Sequence, residues 1–180
     1  MVVDRKEPVS FNEYAELSDG RHEYISIKFP ISDDTGAVTA VGGISTDITE
    51  LKDAENALRL DETRLETLLK LFQMTNASMK DITDFALEEA ISLTKSKIGY
   101  LAFTNADESE LTMYSWSKEA MRTCAITEKQ IDYIVAEIGL WGEAIRQRKP
   151  VVTNDYQLPG EFKKGYPEGH VPIFRHMNVP

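Results

Sequence analysis

The spacing of apolar residues changes near Thr49 from a strand pattern to a helix pattern. Before that point lie three strand-like runs, and the second of them alternates apolar and polar side chains as a half-buried strand does. After it, large apolar residues recur every seven positions, the repeat of a helix that packs against another helix. The pattern therefore predicts a small sheet followed by a long helix.

The first part is predicted to be an antiparallel meander. Its strands run from 9 to 17, from 21 to 31 and from 37 to 48, with turns at Ser18-Asp19-Gly20 and Asp33-Asp34-Thr35-Gly36. The side chains of Ile25, Ile27 and Phe29 share one face. A sheet of three strands leaves such a face in water, so we expect a partner chain or further sequence to cover it.

The helix that follows carries a heptad pattern, and Asp47 or Thr49 is the expected N-cap. We predict a dimer seam built from Leu51, Leu58, Leu65, Leu68 and Phe72. Asp61 interrupts the second seam position. A two-chain coiled coil, and hence a homodimer, is the favoured interpretation; the alternative is one amphipathic helix that packs on its own sheet.

The rest of the chain mixes helices and strands. The pattern predicts a helix from about 79 to 94, a hairpin of strands 98–105 and 111–116, a helix over 128–148, an extended segment at 150–153 and a loop over 158–169. The polar pairs Thr83-Asp84 and Glu88-Glu89 are interpreted as the solvated face of the first of these helices. The predicted fold class is α+β.

Residues Arg21 to Glu50 carry a recognisable series of features. They are the alternating strand His22–Ile27, the Asp-Thr-Gly hairpin, the strand Val41–Thr46 and the ending Asp47-Ile48-Thr49-Glu50. This series resembles the C-terminal part of a PAS domain, the PAC motif. The resemblance implies that residues 1–48 form the end of a PAS domain without its earlier strands, and that residues 49–76 form a linker or coiled-coil helix.

A second series runs from Gly139-Leu140-Trp141-Gly142-Glu143 to Lys149-Pro150-Val151-Val152-Thr153. It is similar to GAF domains of archaeal and bacterial multi-domain sensor histidine kinases. The resemblance implies a GAF domain over 77–180 that lacks its C-terminal strands and helix, with Trp116, Trp141 and Gly142 flanking a ligand pocket. Read without the resemblance, the glycines simply end a helix before a strand that begins at proline.

Cys124 and His170 fall where GAF domains border their pocket. Thiolate and imidazole groups are both haem-iron ligands, and some related GAF domains hold haem through a single cysteine. The resemblance therefore offers a haem site at this pair, and Ala125 disfavours a bilin. Equally open are a small buried apolar role for Cys124 and an ordinary loop position for His170.

Composition limits the function classes. A net charge of −10 disfavours nucleic acid and anionic membranes as partners, and a single cysteine suits a cytoplasmic protein. No catalytic motif or membrane-length apolar run is present in the sequence. We expect a non-enzymatic sensory and dimerisation module, a fragment of a sensor histidine kinase whose neighbouring domains are its partners. The alternative is a spacer that binds no ligand.

Overall fold

The computed structural model describes residues 2–123, 131–165 and 169–180. It divides into two compact units, Met1–Arg64 and Leu65–Pro180. Helices and antiparallel sheets make up both, as the predicted mixed fold requires. Among the described residues, none of the helices combines the length and apolar character that a membrane crossing requires.

The first unit is the predicted meander. Its elements are α1 (Val2–Arg5), β1 (Val9–Leu17), β2 (Gly20–Ser32), β3 (Val38–Asp47) and the first part of α2 (Thr49–Gln73). The strands pair antiparallel in the order β1-β2-β3. Each end lies within one residue of its predicted position, because the turn residues and the alternation together define the register.

The two faces of this sheet differ sharply. Ser26 lies on one face, only 1% exposed, and its hydroxyl bonds Ser45 (2.6 Å) and the Glu13 carboxylate. On the opposite face Ile25 and Ile27 are about two-fifths exposed, at 38% and 43%. The prediction that this apolar face lacks cover within the chain agrees with the exposure of the described residues.

The passage from sheet to helix is fixed by Asp47 and Thr49. An Asp47 oxygen accepts hydrogen bonds from the Thr49 amide (2.9 Å) and hydroxyl (2.6 Å), and these bonds, with His22, hold the pKa of the carboxyl below its usual value. The Thr49 hydroxyl accepts from the Glu23 amide (2.9 Å) on β2. The prediction of Asp47 or Thr49 as N-cap is wrong by one residue. The helix begins at Thr49, and the carbonyl of Ile48 accepts its first hydrogen bond, from the Lys52 amide, so Ile48 is the N-cap and the two polar neighbours stabilise the first turn.

The second unit contains the end of α2 and the remaining elements. They are α3 (Met79–Thr94), β4 (Tyr100–Thr104), β5 (Glu110–Trp116), α4 (Lys118–Thr123), β6 (Asp132–Ile134), a 3₁₀ turn (Leu140–Gly142), α5 (Glu143–Gln147), β7 (Val151–Thr153) and β8 (His176–Asn178). One sheet has the order β4-β5-β6, and β7 pairs with β8 in another. The core packs on β5, whose buried Leu111 and Met113 meet Val135 and Ile138.

The helix predicted over 128–148 is wrong for the described residues of that range. Residues 132–134 form β6, which pairs with β5, and the only helical pieces described there are the 3₁₀ turn and α5. Val135 and Ile138 are buried as an apolar helix face would bury them. Arg146 explains the other geometry, because its guanidinium binds the carbonyls of Val135, Ile138 (3.1 Å) and Gly139 (2.9 Å) that a continuous helix would use internally.

The solvated face predicted for α3 is also wrong. Thr83 is buried and lies 3.2 Å from the Ser115 hydroxyl, which donates to Asp84 (2.7 Å). Glu88 and Glu89 accept hydrogen bonds from other elements. Thr83 therefore lies in an internal contact, whereas Asp84, Glu88 and Glu89 are half-buried side chains that hydrogen-bond to other elements.

Candidate functional site

An aromatic cluster lies beside the core of the second unit. Tyr100 on β4 is the register partner of Trp116 on β5. The Trp141 ring meets Tyr100 edge-on at 5.9 Å between centroids and Tyr133 at 4.7 Å. Edge-to-face contacts of this kind add to the stability that burial alone provides. The structure thus brings both predicted tryptophans to Tyr100.

The position of Trp141 depends on three residues that follow it, Gly142, Glu143 and Arg146. A Cβ at Gly142 would collide with the Ile138 side chain and with an Arg146 nitrogen. Glycine at 142 is therefore required by packing within this unit. Arg146 also bonds Glu143, whose carboxylate is buried and has its pKa lowered by Gln147 and Arg146. The arrangement holds Trp141 on the cluster, and Gly142 is explained without a ligand.

Two buried polar atoms of this region lack a hydrogen-bond partner among the described residues. They are the Tyr100 hydroxyl and Nδ1 of His176 on β8. Burial raises the pKa of Tyr100, with a smaller contribution from Tyr156, and burial lowers the pKa of His176. Both groups are therefore held neutral, each able to donate or accept one hydrogen bond.

Tyr156 packs beside His176. Its ring lies against His176 with centroids 5.9 Å apart, and its amide donates to the Phe174 carbonyl (2.9 Å). The Asn178 side chain donates to the Trp141 carbonyl, which ties β8 to the aromatic cluster. Tyr100 on β4, Tyr156 in the turn after β7 and His176 on β8 form the candidate site.

The residues predicted to hold haem are Cys124 and His170. Cys124, like Ala125, lies outside the described residues. His170 is half-buried in the irregular segment before β8, as predicted for a loop residue, and its Nδ1 bonds the Val171 carbonyl at 2.8 Å. The strand that follows begins at His176. Whether Cys124 and His170 meet a ligand stays a prediction.

The predicted seam residues all lie on the exposed surface of α2. Leu58 and Phe72 are the most exposed of them, at 72% and 80%, and Leu51, Leu65 and Leu68 are at least half exposed. The helix itself is confirmed over Thr49–Gln73. This exposure agrees with an apolar surface on α2 that a second helix would cover. The dimer itself stays a prediction.

Sequence reasoning missed Tyr100 and His176. Tyr100 is one of several aromatic residues in an ordinary strand, and His176 belongs to no recognisable sequence motif. The available signal was a histidine with apolar neighbours in a short segment, Met177 and Val179, near the end of the chain. Neither residue is marked by spacing, because their burial depends on pairing between strands that the local pattern does not show.

Comparison with known proteins agrees with the fold of the second unit. The model of the GAF domain family matches residues 76–180. The chain is similar to the methyl sulfide methyltransferase-associated sensor of Methanosarcina acetivorans, with 57% identity over 147 residues. That match covers 82% of this chain and 15% of the length of the relative. The family model matches more than half of this chain, and the chain therefore belongs to the GAF domain family.

Proposed function

We propose that this chain is a sensory module whose second unit, Leu65–Pro180, binds a small ligand beside Tyr100 and His176. This unit contains the GAF match and is called the GAF unit below. The observation that carries the proposal is the pair of buried polar atoms without partners among the described residues. Leaving a buried donor or acceptor unpaired costs about 1–3 kcal/mol, so such atoms usually mark a bound molecule, an ordered water or a functional role. A related protein that is named a sensor supports the same function.

The chemistry of the two groups narrows the ligand class. Because burial keeps the Tyr100 phenol and the His176 imidazole neutral, neither offers a charge to balance an ion. The site favours an uncharged molecule, or the uncharged polar edge of a larger one, with groups that accept from the phenol and pair with Nδ1.

The test is to ask what the protein retains on purification. The full chain, expressed with haem supplied, is weighed by mass spectrometry under native and denaturing conditions, and each mass is compared with the mass of the amino-acid sequence. An excess seen only under native conditions is a molecule held without a covalent bond, and an excess seen under both is a covalently attached one. For a molecule held without a covalent bond, Tyr100→Phe and His176→Phe should each lower the retained fraction, by about tenfold for one lost hydrogen bond in a buried site. Tyr133→Phe, which alters a tyrosine of the same aromatic cluster, is the matched control and should retain the molecule. Native and denatured wild-type masses that both equal the mass of the sequence would contradict the proposal and favour a ligand-free spacer.

As the alternative ligand we propose haem, with Cys124 as the tether and His170 as an iron ligand. The His170 geometry supports this assignment. Its Nδ1 lies 2.8 Å from a carbonyl oxygen, which only accepts, so Nδ1 carries the proton in the neutral ring. Metal-ligating imidazoles are commonly held in that tautomer by a backbone carbonyl. Haem would supply an iron whose oxidation state and axial ligation respond to electron supply and to small molecules.

Two substitutions separate the roles of these residues. Cys124→Ala should release the pigment into acid-acetone, because only a covalent bond to the cysteine survives loss of the axial ligands. His170→Ala should leave the pigment attached and shift the Soret band, because it changes the ligand field of the iron. A colourless wild type, prepared with haem supplied, would contradict the haem assignment and leave the small-ligand proposal to the mass measurement.

We further propose that the first unit is the end of a PAS domain and that the chain is a non-catalytic part of a dimeric sensor histidine kinase. The meander, its Asp-Ile-Thr ending and the exposed leucines of α2 support this assignment. The chain spans 15% of the length of the related sensor, and neighbouring domains of such a protein would be its partners. Sedimentation of the wild type tests the dimer, and a monomer would contradict it.

A further inference from the structure

Helix α3 makes polar contacts with three other elements of the GAF unit. We propose that α3 mechanically couples α4 to the end of α2, so that a change at the ligand-bearing side reaches the long helix through two adjacent glutamates, Glu88 and Glu89. The origin of the signal rests on the proposed ligand function. The coupling itself is a property of the described residues and is tested without any ligand.

The contact with α4 is made by Glu88. One of its carboxylate oxygens accepts the backbone amide of Lys118, the first residue of α4, at 2.7 Å. The buried Ser117 hydroxyl accepts the Ala120 amide at 3.2 Å and the Gly99 amide at 3.1 Å. Glu88 therefore caps a helix other than its own, with the negative charge placed where the first-turn amides need an acceptor. Helix α4 ends at Thr123, immediately before the cysteine proposed as the tether.

The contact with α2 is made by Glu89. Its carboxylate accepts the Thr67 hydroxyl at 3.2 Å. Thr67 is the one buried residue of α2, only 8% exposed, whereas Leu65 and Leu68 on either side are at least half exposed. The hydrogen bond thus lies where α2 is held by the GAF unit, and a displaced α3 would act on α2 at this point.

Helix α3 is capped at both ends. At its start Ser78 and Asp81 form a capping box, and at its end Lys95 adopts a left-handed conformation and closes the last turn. A third contact, from Asp84 to Ser115 (2.7 Å), joins it to β5. Adjacent residues of a helix point about 100° apart, so Glu88 and Glu89 reach different neighbours. A rotation or shift of the helix that changes one of these hydrogen bonds must therefore act on the other.

The experiment measures amide hydrogen exchange of the full chain in Glu88→Ala, Glu89→Ala and Thr67→Val. Alanine keeps helix propensity and removes the carboxylate, whereas valine keeps the branched shape of threonine and removes the hydroxyl. Glu66→Ala is the matched control, because Glu66 is an exposed glutamate next to Thr67 on the same helix. Exchange is compared over 118–123, over 66–73 and, as an internal reference, over β5.

Coupling is reciprocal, so each substitution must change the distant helix as well as the near one. Glu88→Ala should speed exchange in α4 about tenfold and in 66–73 about twofold or more. Glu89→Ala and Thr67→Val should each speed exchange in α4 by a similar twofold or more, with β5 and the Glu66→Ala control unchanged. Changes confined to the helix next to each substitution would overturn the coupling, and so would equal acceleration across β5. The absence of a bound molecule in the mass measurement contradicts the ligand function alone and does not affect this result.

Discussion

The Tyr100 hydroxyl allows a test in which removal of a polar atom stabilises the protein. This oxygen is buried and has no partner among the described residues, so the ligand-free protein carries its desolvation cost. Tyr100→Phe removes the oxygen and keeps the ring that packs against Trp141. We expect the free energy of unfolding of the ligand-free GAF unit to rise, at the same time as retention of the ligand falls.

The magnitude follows from the cost of an unpaired buried group. That cost is about 1–3 kcal/mol, and since part of it is relaxed by small movements, a gain near the lower end, about 1 kcal/mol, is expected. For an m-value of about 1–3 kcal/mol/M, the urea midpoint rises by about 0.3–1 M. Both tryptophans of the chain, Trp116 and Trp141, belong to this unit, so their fluorescence follows its unfolding directly.

The measurement is made on protein stripped of small molecules by unfolding in denaturant, dialysis and refolding. Tyr133→Phe is the control, because Tyr133 contacts the same tryptophan and its hydroxyl is not among the unpaired buried atoms. It should shift the midpoint less than Tyr100→Phe does. A loss of about 1 kcal/mol or more for stripped Tyr100→Phe would show that the hydroxyl has a partner within the protein, and the argument for a ligand there would be refuted.

Three further predictions concern other parts of the chain. Leu58→Lys combined with Leu65→Lys should convert a wild-type dimer into a monomer by sedimentation, because like charges replace apolar side chains at the seam; unchanged association would contradict the seam. His22 should titrate above its ordinary pKa of 6.5, because its Nδ1 lies 2.7 Å from Asp47, and Asp47→Asn should bring the NMR titration back toward that value. A raised pKa stabilises the folded first unit below pH 6.5, and this contribution is lost as the pH rises through the folded pKa; a titration unaffected by Asp47→Asn would exclude the ion pair. Arg146→Lys should lower the free energy of unfolding of the GAF unit by about 1–3 kcal/mol in the same urea assay. The planar guanidinium donates to three carbonyls and a carboxylate, and the single ammonium group of lysine cannot reach all four. A smaller loss would mean that this contact is dispensable.

The meander was predictable because all of its information is local. Each strand is bounded by residues that favour tight turns, and Asp33 shows how such a residue acts. Its carboxylate accepts hydrogen bonds from the Thr35 hydroxyl (2.6 Å) and from the amides of Ala37 (3.1 Å) and Thr35 (2.9 Å), and these bonds lower its pKa. With the turns fixed, the alternation determines which side chains share a face. The antiparallel pairing of β2 with both neighbours agrees with the predicted meander, and only the irregularity between Ile31 and Ser32 is not marked in the sequence.

The segment after 130 was not predictable in the same way. Ile131, Ile134, Val135 and Ile138 have helical spacing, yet residues 132–134 pair with β5, about twenty residues earlier in the chain. Short apolar segments are ambiguous between helix and strand, and the pairing partner decides. Local pattern carries no record of Arg146, which lies eight to eleven residues beyond two of the carbonyls that it binds.

The candidate site was hidden for a related reason. Trp116 and Trp141 were identified through the family resemblance, and the structure places both beside Tyr100. Tyr100 and His176 become notable only when burial and hydrogen bonding are known, because an unpaired atom is defined by what surrounds it. The acidic residues of α3 were misread for the same reason, since their partners lie 22 to 31 residues away.

Helix α2 is hydrogen-bonded to other elements near both ends, and its apolar side chains between these points are exposed. Near its start Thr49 bonds β2, and near its end Thr67 bonds α3. On the intervening turns Leu51, Leu58 and Leu65 are 66–72% exposed. Burying a leucine side chain stabilises by about 1.5–3 kcal/mol, and pairing two copies buries this stripe twice. In a paired seam the side chains occupy discrete positions, so a displacement transmitted by α3 would change the register and would not fade along the helix. In the proposed dimer, the paired seam would convert a movement within one GAF unit into a change along α2. The doubly substituted Leu58→Lys, Leu65→Lys protein should accordingly retain its ligand as the wild type does, while ligand removal no longer alters amide exchange over 49–64. A monomer that still shows this ligand-dependent exchange would mean that the signal travels within a single helix.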